Sequence, residues 1–306
     1  MNPGTGILLK LCSVVVFTIM AALIKLTADV TPPGEQVFFR SFFAIPVILI
    51  WLLWRHEVST GLRTQRPIKH FYRGFIGTTA MGLNFAALGL LPFPEVTALG
   101  YAAPLLTVIF AAMFLGEDVR AFRLIAVLTG LIGVVIVLLP RFSASAEALS
   151  TAQTLGAVLA LSGAACSALA QIFVRKLVME ERTSVIVFWF SVTSALLSLT
   201  TLPFGWIMPQ GWTLVLLITT GLLGGVGQIL LTSSYRFAPA SVVAPFEYAS
   251  VILALLIGYV NFGEVPTLTM LLGSAIVVAA GIAIILRERQ LGIERTRQRK
   301  AMTPQG

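Results

Sequence analysis

Apolar and polar positions fall in long blocks along this chain. Ten mostly apolar stretches follow one another, at 7–28, 33–54, 72–91, 94–114, 121–139, 153–174, 184–204, 212–234, 239–260 and 266–286. Each is close to the ~20 residues an α-helix needs to cross the hydrocarbon core of a bilayer. Joints such as Leu91 to Glu95 and Phe237 to Ala240 span only a few residues, so neighbouring segments are expected to form antiparallel hairpins. The longest connection runs from Arg55 to Phe71, and no segment is long or polar enough for a separate soluble domain. The pattern predicts an all-α membrane protein of ten transmembrane helices. The first run, Ile7 to Ala28, exceeds the ~7–15 residues of a secretory signal core and has no Ala-x-Ala-type exit, so it is expected to stay in the protein.

The same ending occurs twice. Phe114-Leu115-Gly116-Glu117 closes one apolar run and Asn261-Phe262-Gly263-Glu264 another, 264 − 117 = 147 residues later. Read backwards at that offset, Leu106 meets Leu253, Tyr101 meets Tyr248, Val96 meets Val243 and Pro92 meets Pro239. Further upstream Leu83 meets Leu230, Gly77 meets Gly224 and Gly74 meets Gly221. Leu and Val coincide easily in so apolar a chain, but paired Pro, Tyr, Gly and Gly-Glu do not. Two copies are expected: residues 1–145 with spans one to five, and 146–290 with spans six to ten. The Ser/Ala-rich stretch Ser143–Ala152 links them, and a basic tail, 291–306, follows. Five spans is an odd number, so the second copy is inverted relative to the first. Inverted repeats place a site at their interface near the bilayer midplane and give it two equivalent ways to open.

Composition narrows the class further. Charged residues are 11% of the chain and apolar types 57%. A soluble domain carries ~25% charged residues, so lipid is expected to be most of the solvent here. Lys and Arg concentrate on one set of joints: Arg55, Arg63, Arg66, Lys69 and Arg73; Arg120 and Arg123; Arg175, Lys176 and Arg182; Arg236; and the tail from Arg287. On the opposite joints only Arg141 stands in a loop. The excess marks the cytoplasmic side, so both termini are expected inside. It also accounts for the net charge of +8 without invoking nucleic acid.

The endings Tyr101-Ala102-Ala103-Pro104 through Leu115-Gly116-Glu117 and Ala244-Pro245-Phe246-Glu247-Tyr248 through Phe262-Gly263-Glu264-Val265-Pro266, with Lys25 and Arg40, resemble those of the EamA branch of the drug/metabolite transporter superfamily. The resemblance covers essentially the whole chain. It implies a multi-pass carrier of the bacterial inner membrane for a small molecule such as an amino acid, S-adenosylmethionine or riboflavin. The superfamily's small multidrug branch uses a Glu in its first span. Here that span holds Lys10 and Lys25 and no acid, which argues against that mechanism.

Several residues are candidates for binding substrate or coupling its movement. Glu247 lies about eight residues into span nine, where a charge faces protein or water rather than lipid, and Pro245 loosens the helix beside it. It reads equally as a substrate or proton site and as a packing anchor. Arg40, inside span two, is a candidate to counter Glu247 or hold an anionic group, although its stem is long enough to snorkel. For Lys25 snorkelling is the favoured reading. Asn84, Gln171 and Gln228 either wall a shared cavity or bond across helices for ~0.6–2 kcal/mol. The repeat partners Tyr101 and Tyr248, near Phe246 and Phe85, suit a flat ring by stacking, with core packing the commoner role for such rings. Glu117 and Glu264 are expected to cap span ends and pair with loop cations.

Other chemistry is missing. His56 and His70 share one loop without a carboxylate cluster, Cys12 and Cys166 lie within spans, and Gly221–Gly227 lacks the Lys-Ser/Thr of a phosphate-binding loop. The chain is therefore expected to need no cofactor, metal or ATP and to be no enzyme, its partners being a small-molecule substrate and membrane lipid, with a homo-oligomer left open. The aromatic pairs favour riboflavin uptake as the expected activity, with amino-acid or S-adenosylmethionine transport as the alternative and a polytopic membrane enzyme as a remote third.

Overall fold

The computed structural model describes residues 3–115, 121–143, 151–238 and 243–302. Among these residues all regular structure is helical. The helices are α1 (Pro3–Thr27), α2 (Pro33–Phe42), α3 (Ala44–Trp54), α4 (Val58–Gly61), α5 (Pro67–Leu90), α6 (Phe93–Gly100), α7 (Ala102–Leu115), α8 (Ala121–Ser143), α9 (Thr151–Glu180), α10 (Thr183–Ser198), α11 (Gly211–Phe237), α12 (Ala249–Phe262) and α13 (Leu268–Met302). Two 3₁₀ segments, Leu199–Phe204 and Ala244–Tyr248, extend α10 and precede α12. Every expected apolar stretch falls on helix, apart from the start of the ninth, 239–242, which lies outside the described residues. Proline in the first turn, where its missing N–H costs nothing, starts α2, α5 and α6.

Among the described residues, seven helical segments are long and apolar enough to cross a membrane: Gly4–Thr27, Pro33–Trp54, Phe93–Phe110, Thr151–Val174, Thr183–Phe204, Gly211–Phe237 and Leu268–Arg287. Two shorter apolar helices lie at Leu124–Leu139 and Phe246–Phe262. The expected third span, α5, is long but carries Arg73, Thr78, Thr79 and Asn84. Its neighbours explain why that polarity is tolerated. It packs against α9 and α10 and touches α1 and α2, so protein surrounds much of it.

The most extensive packing joins α1 to α11, α5 to α9, and α8 to α13. At the α8–α13 crossing the backbones come close: a Cβ added at Gly273 would lie 2.6 Å from the carbonyl oxygen of Gly133, and one at Gly133 would lie 2.8 Å from that of Gly273. Small residues permit such approach where lipid supplies no hydrophobic drive.

Polar contacts mark the two ends of the bundle. At one, Lys69 Nζ bonds both carboxylate oxygens of Glu180 at 2.8 and 2.7 Å, and Thr64 donates to Glu181 at 2.7 Å. Glu180 is held below the usual carboxylate range, first by its bond from Lys69 and then by the nearby charges of Arg66 and Lys69. At the other, Lys25 Nζ meets Glu264 at 3.0 Å and donates to the carbonyl of Leu91 at 2.6 Å, while Glu264 also accepts from the Phe93 backbone at 2.8 Å. Lys25 therefore does not snorkel. It ties the ends of α1 and α12 to the α5–α6 joint. Its acid is held by a cation from a helix rather than from a loop. Gly263, at φ 64°, supplies the left-handed turn that ends α12 and aims Glu264 inward. Glu117 lies outside the described residues.

Candidate functional site

Both tyrosines of the repeat register stand where a helix is interrupted. Tyr101 separates α6 from α7, and Tyr248 ends the 3₁₀ turn before α12. Pro104 contributes to the first break, because without an N–H it leaves the carbonyl of Gly100 without its helical donor. The two rings meet at a centroid distance of 4.9 Å, tilted by 49°. The Tyr101 hydroxyl is hydrogen-bonded to that of Ser250, and both converge on the backbone carbonyl of Glu247, at 3.3 Å from Tyr101 and 2.8 Å from Ser250. Gly281 on α13 packs directly against the Tyr248 ring.

This framework fixes the Glu247 backbone and frees its side chain. The carboxylate accepts from Lys10 Nζ of α1 at 3.2 Å. The pair is asymmetric: the Lys10 side chain is 3% exposed and that of Glu247 is 44% exposed. Lys10 is the buried partner, and Glu247 opens onto a cavity of about 290 Å³. That size is at the lower edge of the ~300–1,000 Å³ of small-molecule sites. Its walls combine Tyr101, Gly100 and Pro104 at the first helix break, Thr97 of α6, Asn84 of α5, Ser167 and Gln171 of α9, and Glu247 with Ser250. Asn84 Nδ2 is bonded at 2.8 Å to the Ala80 carbonyl of its own helix, and Gly163 of α9 lies against its amide. The site thus offers one anion, one cation behind it, hydroxyls, two side-chain amides and an aromatic wall.

The expected residues divide between this cavity and other places. Glu247, Tyr101, Asn84 and Gln171 line it, and Tyr248 supports it from behind Tyr101. Gln228 does not line it: α11 packs on α1, α2 and α3, away from the α6–α9 wall. Arg40 is elsewhere, buried beside Phe190 of α10, and the cation that meets Glu247 is Lys10. Phe85 is core, 5% exposed. Sequence reasoning missed Lys10 and Ser250. A lysine in an apolar first span was a visible signal, but its partner lies 237 residues away, beyond any local pattern.

The model of the EamA-like transporter family matches this chain twice, over residues 4–139 and 154–287. A pseudopaline exporter of Pseudomonas aeruginosa is 29% identical over 283 residues, 92% of this chain and 95% of that protein. An S-adenosylmethionine uptake transporter of Rickettsia prowazekii is 28% identical over 286 residues, 93% and 94% of the two chains. A solved crystal structure superposes with a TM-score of 0.66 over 95% of this chain and 99% of its own, at 20% identity, a likeness of fold alone. A multi-pass membrane protein with a helix-break site, matched twice along its length by one family model, belongs to the EamA-like transporter family.

Proposed function

We propose that this transporter carries a zwitterionic, amino-acid-derived metabolite, with S-adenosylmethionine as the leading substrate. The observation that carries the reading is the Lys10–Glu247 pair opening onto the cavity beside Tyr101. An α-amino acid brings a cation for the exposed Glu247 carboxylate, which Lys10 holds from behind, and a carboxylate for the side-chain amides of Asn84 and Gln171 in the cavity wall. S-adenosylmethionine adds a sulfonium cation for Glu247 and an adenine ring for the tyrosine wall. Riboflavin, expected from the aromatic residues, gives way: two relatives are named for S-adenosylmethionine uptake and pseudopaline export, and the exposed Glu247 carboxylate suits a cationic ligand better than a neutral ring.

The wider mechanism belongs to the same proposal. The two halves are inverted five-helix copies in a bacterial inner membrane, with both termini cytoplasmic, and they alternate access to the cavity. The double family match supports this, as does the exchange of partners, in which α1 pairs with α11 as α9 pairs with α5. Helix breaks at Tyr101 and Tyr248 fit carriers whose interrupted helices form the site. The test is uptake of radiolabelled S-adenosylmethionine by proteoliposomes, with riboflavin alongside. Saturable S-adenosylmethionine counterflow is expected. Counterflow of riboflavin alone, or of neither compound, would reject the substrate assignment.

A further inference from the structure

Away from that cavity, two arginines are buried with no acid opposite them among the described residues. Arg40 of α2 is 3% exposed and Arg73 of α5 is 7% exposed. The Nε and Nη1 of each lack a hydrogen-bond partner. Both guanidinium groups lie over the ring of Phe190 on α10, at 3.5 Å for Arg73 and 5.3 Å for Arg40. Among the described residues neither forms an ion pair. Arg73, which the sequence pattern assigns to a joint, is part of the helix interior instead.

A guanidinium does not shed its proton in a protein. Two of them against one ring repel each other, and burial strengthens that repulsion by removing water. The π face of Phe190 attracts both cations but carries no net charge to balance them. An isolated buried charge is among the least tolerated features of a fold. Among the described residues nothing supplies the missing counter-charge, and an anionic ligand would.

The surroundings hold the two cations tightly in place. Glycines stand against both cations: a Cβ at Gly77 would lie 2.8 Å from Arg73 Nη1, and one at Gly224 would lie 3.0 Å from Arg40 Nε. These are partners in the repeat register, since 224 − 77 = 147. Gly224 stands at the middle of the 27-residue α11. Arg40 thus reaches mid-span, and Arg73 stands nearer the start of α5, where α2, α5, α10 and α11 pack together.

We propose that Arg40 and Arg73 together bind one small oxyanion, the carboxylate or phosphate edge of a ligand. Two planar guanidinium forks beside one ring, each with unpaired N–H donors, suit the lone pairs of such a group, and charge-assisted bonds to it would supply the counter-charge. Arg40, Arg73 and Phe190 do not line the cavity at Glu247, so this site is separate from it and does not depend on the substrate assigned there.

The test is thermal unfolding of the purified full-length protein in phosphatidylcholine nanodiscs, titrated with acetate, succinate or inorganic phosphate against chloride at matched ionic strength. A saturable rise in Tm with a carboxylate or with phosphate is expected, and the more effective probe identifies the ligand's head group. The rise is expected to vanish in R40Q/R73Q and to need about tenfold more anion in R73K, which keeps the charge but loses the fork. No oxyanion-specific rise in the wild type would overturn the proposal even if the variants fail to fold. So would an equal rise in R40Q/R73Q.

Discussion

Lys10 and Glu247 lie 237 residues apart in the chain, and their side chains meet at 3.2 Å with only the glutamate open to the cavity. The lysine is the buried member, and the proposed function makes the carboxylate the one that meets substrate. E247Q retains shape but leaves the buried Lys10 ammonium without its counter-charge, so Tm is expected to fall, and transport is compared at equal amounts of folded protein. Transport is expected to fall about tenfold or more, because a charge-assisted contact contributes ~1.5–3 kcal/mol. Uptake in proteoliposomes at equal protein density decides it, and near-normal uptake would leave Glu247 a packing residue.

Lys25 and Glu264 close the other end of the bundle, with Lys25 also held by the Leu91 carbonyl. In K25M the ends of α1 and α12 lose their tie to the α5–α6 joint. A cysteine at Leu91, which is 2% exposed, is expected to react slowly with a membrane-impermeant maleimide in the parent background. K25M is expected to speed that labelling about tenfold, the equivalent of ~1.4 kcal/mol of closure. The measurement needs Cys12 and Cys166 replaced, and equal rates in the two backgrounds would show that the pair does not hold this end shut.

The α8–α13 crossing has no room for a methyl group at its closest point. G273A would place one 2.6 Å from the Gly133 carbonyl and is expected to cost ~1–3 kcal/mol through forced separation of the helices. G82A, at a site with nothing within 4 Å, serves as the control and is expected to be neutral or slightly stabilising. Thermal unfolding in detergent compares them, and an unchanged Tm for G273A would mean that the crossing yields easily.

Reporter fusions test the membrane topology. A fusion after Pro140 is expected to read as external and one after Arg289 as cytoplasmic, from the Lys and Arg distribution. With the N-terminus inside, an external reading after Arg289 would require an odd number of crossings and would remove the inverted repeat.

Much of the architecture was legible because it is written locally. Runs of apolar residues marked the helices, and the 147-residue register paired Tyr101 with Tyr248 before their rings were seen to meet at 4.9 Å. What was not legible depends on contacts between distant segments. Lys25 has a stem long enough to snorkel, and only the fold supplies Glu264 as its partner. Arg73 stands at the edge of an apolar run, so only the packing of α5 against α10 shows that it is buried. Gln228 and Gln171 look alike in sequence, yet only α9 faces the cavity. Hydropathy counts how apolar a segment is and not which neighbour it turns toward.

The pairing of α1 with α11 and of Lys10 with Glu247 also bears on how the chain is made. Ribosomes add ~5–20 residues per second, so the first span enters the bilayer some 10–50 seconds before Glu247 exists. For that interval Lys10 lacks its Glu247 partner, and for a shorter one Asn84 has no α9 to shelter it. The nascent first half must keep these groups near the interface or beside the insertion machinery until the second half arrives. Biogenesis is then the stage at which this protein is most vulnerable, and substitutions in α9 or α11 endanger the insertion of helices synthesised long before them.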